Sequence, residues 1–158
     1  MKKGQKVHLL TYEEEDLQDH LLAIHSSLEI YQIAFFLNQS SGTKFKRDVD
    51  ISLEANSAAF SLFKWENSLI DVNILLFSNK HLEELREVHS NNNTLFDLPL
   101  RNEVSLIPEF KQVDFFIKSS HLETLHLLFK PLNLWNAITM IDQNPPNKIK
   151  NRLNLIFD

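Results

Sequence analysis

Two carboxylates that lie five residues apart, Glu109 and Asp114, are the first pair to test for general acid–base chemistry. Residues five apart on one continuous strand point to opposite faces, so the two carboxylates diverge unless a bulge intervenes. The spacing therefore favours a structural role, in which Pro108 sets the start of a strand and Glu109 bonds nearby backbone amides. A site built on this pair is the alternative.

The seven histidines are the next candidates, because imidazole is a common metal ligand. His121 and His126 are five apart and do not share a helix face, and His20 and His25 point to opposite faces of a strand. Glu123 and His126 have the spacing used in di-iron bundles, but such a site needs two copies of that motif. The pattern predicts surface or partly buried histidines and no metal site.

Composition excludes several other kinds of chemistry. The 158-residue chain has no cysteine, which excludes thiol catalysis, disulfides, iron–sulfur clusters and cysteine-ligated zinc. Its two glycines, Gly4 and Gly42, are too few for a phosphate-cradling loop or a nucleophile elbow. We therefore assign no catalytic residue and expect no cofactor.

Charge and hydropathy point to a cytoplasmic protein. The net charge of −5 gives no long-range attraction to nucleic acid or anionic lipid. No run of about 18 apolar residues is present that would span a membrane. Lys2 and Lys3 are not followed by the apolar stretch of a signal peptide. We expect no membrane contact.

The best nucleic-acid candidate is a basic row, formed by Lys148, Lys150 and Arg152, which alternates along the C-terminal tail. Three cations on one strand face are more typical of a solvated or edge-blocking surface. Binding of single strands also requires exposed aromatic side chains on which bases stack. Nucleic acid is therefore not the expected partner, and RNA binding is a second hypothesis.

Two helices are predicted. The first follows from a core-facing stripe at helical spacing and ends at residues 38–42; its members are Ile30, Ile33, Ala34 and Leu37. The second begins at a capping box formed by Ser120 and Glu123. It should run to about Lys130, because Pro131 disfavours helical geometry at the residue before it.

Strands are predicted where apolar residues alternate with polar ones or form short runs between turn signals. The predicted segments are 7–12, 20–25, 44–54, 58–66, 69–77, 112–118 and 134–142, and the tail also has an alternating character. With the two helices they predict an α+β fold in a single domain, 1–158, with a mostly antiparallel sheet of about six or seven strands.

The connection over 78–105 is unusually long for a compact domain and is predicted to be a mobile spacer with a candidate short helix at 81–88. A ligand lid is the alternative. Its apolar residues Phe96, Leu98 and Leu100 are excess surface hydrophobics, and they are a candidate contact surface for a protein partner.

Residues 106–116 resemble the namesake motif of the IPExxxVDY family, small proteins of Bacteroidota with no assigned activity. The resemblance implies a bacterial source and no particular mechanism. Phe115 stands where the family name has tyrosine, so a hydroxyl is absent and a packing role for the ring is favoured. The matching residues are Ile107, Pro108, Glu109, Val113 and Asp114.

Three hypotheses follow. The first is a non-enzymatic protein-interaction module with an unidentified protein partner, or a homodimer, that uses the motif strand and Phe96–Leu100 as its contact surface. The second is a weak RNA-binding protein that uses the C-terminal basic row. The third is an enzyme of unrecognised type around Glu109, Asp114 and a histidine.

Overall fold

A computed structural model describes residues 20–53, 57–84 and 101–144 of the chain. These residues form a six-stranded antiparallel sheet with two helices on one face and smaller β structure on the other. The predicted α+β class, with a mostly antiparallel sheet and two main helices, is confirmed.

The helices are α1 (Ile30–Ser40) and α2 (Leu122–Leu134), and a single 3-10 turn spans Pro108–Phe110. The strands in chain order are β1 (His20–Ser26), β2 (Lys46–Arg47), β3 (Ile51–Ser52), β4 (Ala59–Phe60), β5 (Leu62–Asn67), β6 (Val72–Ser78), β7 (Lys80–Glu84), β8 (Arg101–Ser105), β9 (Phe115–Ser119) and β10 (Ile138–Asn144).

The main sheet has the strand order β10-β1-β9-β6-β5-β2, and every neighbouring pair is antiparallel. Its centre follows the β-α-β-β-α-β order of a split β-α-β motif. α1 comes between β1 and β6, which flank β9, and α2 comes between β9 and β10, which flank β1. β5 and β2 extend this motif at one edge.

Both helices bury their apolar stripes against one face of the sheet. The predicted stripe of α1 is buried as expected, and α2 adds Leu125, Leu128 and Leu132. The sheet contributes alternate residues to this core, among them Leu22, Ile24 and Ile117. Each fully buried aliphatic side chain contributes roughly 1.5–3 kcal/mol, so this face is the main source of stability.

The other face of the sheet is buried as well. Leu21, Ala23, Phe77 and Phe116 alternate with the helix-side residues and pack against the segment over 106–113 and the short strand β4. Strands covered on both faces read as continuous apolar runs, which explains the uninterrupted run Leu21–Ile24. The segment over 106–113 is therefore part of a second core.

The predicted strand over 44–54 is divided in the structure. β2 belongs to the main sheet, while β3 pairs with β4 in a separate two-stranded sheet. The chain turns at Asp48, whose carboxylate accepts a hydrogen bond from the Val49 N–H, and Arg47 and Asp50 form an ion pair across the turn. Val49, which follows Asp48 in this turn, is 81% exposed.

The predicted bounds of α2 were wrong at both ends. Its N-cap is His121, which has no side-chain capping bond, so the Ser120–Glu123 capping box does not form. The helix continues through Pro131 to Leu134. Proline removes one backbone hydrogen bond, but burial of Leu132 in the next position holds the last turn against the sheet.

The connection over 78–105 is not a loop at its ends. β7 and β8 pair antiparallel, from Lys80 opposite Ser105 to Glu84 opposite Arg101. The helix predicted over 81–88 is therefore wrong for residues 81–84. Several predicted features lie outside the described residues: the strand over 7–12, the surface at Phe96, Leu98 and Leu100, and the basic row Lys148, Lys150 and Arg152.

Candidate functional site

The segment that carries the family resemblance lies on the sheet face opposite the helices. Ile107 and Val113 are buried there, and the 3-10 turn places Pro108 in its first turn, where the missing proline N–H costs nothing. Pro108 therefore starts a turn and not the strand that was predicted. Phe115 begins β9 and is buried in the helix-side core, which agrees with a packing role for the ring.

A single buried side chain, Asn79, holds this segment in place. Its Nδ2 donates to the backbone oxygens of Phe110 at 2.9 Å and Val113 at 3.0 Å. Its Oδ1 accepts from the Ile107 N–H at 2.8 Å. Three buried backbone groups of the segment are thus satisfied by one amide side chain.

The backbone of Asn79 also bonds to both ends of the segment. The Asn79 backbone N–H donates to the backbone carbonyl oxygen of Asp114 at 2.9 Å. The backbone carbonyl oxygen of Asn79 accepts from the Leu106 N–H at 2.8 Å. Sequence reasoning missed Asn79, because its partners lie about thirty residues downstream. The signal in the sequence was an asparagine directly after an apolar strand, a residue that often bonds loop backbone.

Asp114 is committed to the fold in a similar way. Its Oδ2 accepts from the Ser26 N–H at 3.0 Å, where the pairing of β1 with β10 shifts register. Its Oδ1 lies 2.9 Å from the Lys80 Nζ on β7, and this lysine is also 3.9 Å from Glu103 on β8. The Asp114 carboxylate therefore joins the start of β9 to β1 and to β7.

The two carboxylates of the motif, Glu109 and Asp114, lie in different surroundings. Glu109 lies half-buried in the 3-10 turn, and Asp114 is engaged by Ser26 and Lys80. Among the described residues, no cluster of three or more histidine, aspartate and glutamate side chains is placed to hold a metal ion. The motif thus supplies packing and hydrogen bonds to the fold.

The outward face of α1 offers a different kind of surface. The helix contains no charged residue, although charged residues make up 23% of the chain. Tyr31 and Phe35 lie one turn apart on the same side of the helix and are 59% and 63% exposed. Gln32 and Gln39 are the exposed polar neighbours.

A groove of about 620 Å³ lies between α1 and the C-terminal end of α2. The Phe36 and Trp135 rings stack there, with centroids 4.0 Å apart and an interplanar angle of 15°. Among the residues that the structure describes, no charged side chain lines this groove. The lining residues, which we call the α1 face, are Leu28, Tyr31, Gln32, Phe35, Phe36, Gln39 and Trp135. The sequence pattern had indicated only the buried stripe of the same helix.

A second groove, of about 290 Å³, lies at the β2–β5 edge of the main sheet. It is basic, unlike the α1 face. The lining residues, which we call the basic edge, are Lys44, Lys46, Arg47, Asp48, Lys64, Trp65 and Glu66. Pairing of β2 with β5 brings cations from two parts of the chain together, which the linear sequence did not reveal.

No family model, curated protein or solved structure matches this chain. The resemblance of residues 106–116 to the IPExxxVDY family therefore stays a prediction. Neither helix in the described ranges has the length and apolar character needed to cross a membrane.

Proposed function

We propose that the chain is a non-enzymatic protein-interaction module that acts in the cytoplasm, and that its partner on the α1 face is a second copy of the same chain. The observation that carries the proposal is an uncharged groove whose lining includes two exposed aromatic rings, Tyr31 and Phe35. The motif segment, by which we mean residues 106–114, is not the contact surface in this proposal, because Ile107 and Val113 are buried within the chain.

The chemistry of the α1 face supports a protein partner. The cores of protein interfaces are depleted of charge and enriched in aromatic side chains, and this face has both properties. Burying the exposed part of Tyr31 or Phe35 would remove roughly 100 Å² of surface from water for each ring, worth about 2–3 kcal/mol apiece. Exposed polar side chains at Gln32 and Gln39 supply a rim that can bond across an interface.

The neutrality of the same face supports a second copy as the occupant. A two-fold interface brings the same patch of both subunits together, so a charge near the two-fold axis would meet its own like charge. The α1 face carries none. It also combines projecting rings with a groove, so Phe35 of each copy can enter the groove of the other.

The test is sedimentation equilibrium of the purified full chain over a wide concentration range, with Phe35→Glu as the variant. The wild type should form dimers. Phe35→Glu places two like charges in the interface, which costs at least about 2 kcal/mol and weakens association by about 30-fold or more. Leu69→Glu is the matched control, because Leu69 is 93% exposed in the β5–β6 turn.

Two results would contradict the proposal. One is a wild-type chain that stays monomeric at every concentration, which would direct the search to a different protein. The other is Phe35→Glu associating as tightly as the wild type, which would move the interface away from α1. Circular dichroism of both variants checks that each remains folded.

A further inference from the structure

The basic edge contains a pair of lysines whose positions oppose folding stability. Lys46 on β2 and Lys64 on β5 are direct cross-strand partners, so their side chains share one face of the sheet. Like charges directly opposite each other destabilise a strand pair. Lys44 precedes Lys46 by two residues and lines the same groove, so two cations follow each other along the chain and Lys64 lies beside the second.

The acidic residues nearby do not neutralise these three lysines. Lys64 is paired with Glu66, and Arg47 is paired with Asp50. Lys44 and Lys46 are exposed and form no ion pair with any described residue. A net positive groove thus stands out on a chain whose overall charge is −5.

Protection of the sheet edge explains only part of this arrangement. A lysine on an edge strand discourages pairing with another chain, and that accounts for Lys46. Lys64 lies on β5, which is already paired on both sides, by β2 and by β6. Edge protection gives no reason for a second lysine there.

We infer that the basic edge binds the backbone of a single-stranded nucleic acid. Cations that follow one another along an extended segment can each meet a different phosphate of the same strand. Trp65 also lines this groove, but its ring lies 6.3 Å from the Phe45 ring and packs against the helix-side core, so the lysines and not a stacked base would provide the binding energy. The inference does not depend on the proposed dimer, because none of these residues belongs to the α1 face.

The affinity of such a site is set by its phosphate contacts. Each contact contributes about 0.7 to the slope of log affinity against log salt concentration for a single strand. Three lysines therefore predict a slope of about −2, and roughly a 20-fold loss of affinity between about 50 and 200 mM salt. Because the rest of the protein is acidic, we expect dissociation constants no tighter than about micromolar.

The experiment measures fluorescence anisotropy of a labelled oligouridylate with the full chain at several salt concentrations. The triple variant Lys44→Gln, Lys46→Gln and Lys64→Gln should lose the salt-dependent binding. The matched control removes three exposed cations elsewhere, at Arg101, Lys111 and Lys130, and should keep most of it. Glu66→Gln should act in the opposite direction, with about twofold tighter binding, because it frees Lys64.

Several outcomes would overturn the inference. These are no binding at low salt, equal binding by the triple variant, or an equal loss in the control variant. Sedimentation with anionic phosphatidylserine vesicles in the absence of oligonucleotide binding would assign the edge to a membrane surface instead. If the triple variant does not fold, the double variant Lys44→Gln and Lys46→Gln should still lower the slope by about 1.4.

Discussion

The segment over 106–114 and helix α1 cover opposite faces of one sheet, and they use their side chains in opposite ways. In the segment, the side chains that seemed suited to chemistry point into the protein or bond to it, as Asp114 does with Ser26 and Lys80. On α1, the residues beyond the buried stripe are uncharged, and two of them, Tyr31 and Phe35, are exposed aromatic side chains. Residues 106–114 therefore stabilise the fold, and helix α1 carries the candidate interaction surface.

The difference shows where an interaction surface is to be sought. Both oxygens of the Asp114 carboxylate already have partners within the fold, a backbone N–H and a lysine ammonium group. A ring such as Phe35, with most of its surface in water, gains free energy when something covers it. Residue type alone does not show whether a side chain is available to a partner. Its burial and its bonds within the folded chain show this.

The largest effect expected from this comparison is the loss of stability in Asn79→Ala. The substitution leaves the Ile107 N–H and the Phe110 and Val113 oxygens without their partner. Unsatisfied buried groups cost about 1–3 kcal/mol each, so we expect the free energy of unfolding to fall by about 3–5 kcal/mol. Urea denaturation measures this loss.

Asn73→Ala is the control for that substitution, since Asn73 is exposed on the neighbouring strand β6 and should change stability by less than about 0.5 kcal/mol. The folded fraction of Asn79→Ala should still dimerise as the wild type does. A stable Asn79→Ala protein that no longer dimerised would reverse the comparison and assign the interface to the motif segment.

Much of the fold follows from patterns within short stretches of sequence. The 3.6-residue stripe of α1 and the apolar runs of β1 and β6 were read correctly, because burial of these residues depends on their own spacing. The strand over 44–54 was misread, because a turn built on Asp48 and the Arg47–Asp50 pair interrupts an otherwise regular alternation. Pro131 misled for a related reason, since tertiary burial of Leu132 overrides its local preference.

The candidate sites depend on contacts between distant parts of the chain, and the sequence did not locate them. Trp135 meets Phe36 across about a hundred residues, and Lys64 meets Lys46 only once β5 and β2 pair. Asn79 finds its partners in the same long-range way. Two predicted surfaces, Phe96–Leu100 and the C-terminal basic row, were placed where apolar or basic residues are close together in the sequence, and both lie outside the described residues.

An intermediate effect is expected at Asp114. Asp114→Asn removes the charge that faces Lys80, and we expect a loss of about 1–2 kcal/mol in the free energy of unfolding. In a double-mutant cycle with Lys80→Met, the two substitutions should be coupled by at least about 0.5 kcal/mol, because the two side chains are in contact. Additive losses would show that this pair does not hold the motif segment.

The smallest effect on stability is expected at Phe35. The adjacent ring on α1, Phe36, should contribute more to stability. Phe35→Ala should change the unfolding free energy of the dilute monomer by less than about 0.5 kcal/mol, because the ring is mostly in water. Phe36→Ala should cost more, about 1–2 kcal/mol, because its ring stacks on Trp135 against the helix-side core. Denaturation at low protein concentration measures the stability of each monomer, and sedimentation at high concentration measures its association. Equal losses at the two positions would mean that Phe35 belongs to the folded core, and the exposed aromatic surface would then lose its claim to be an interface.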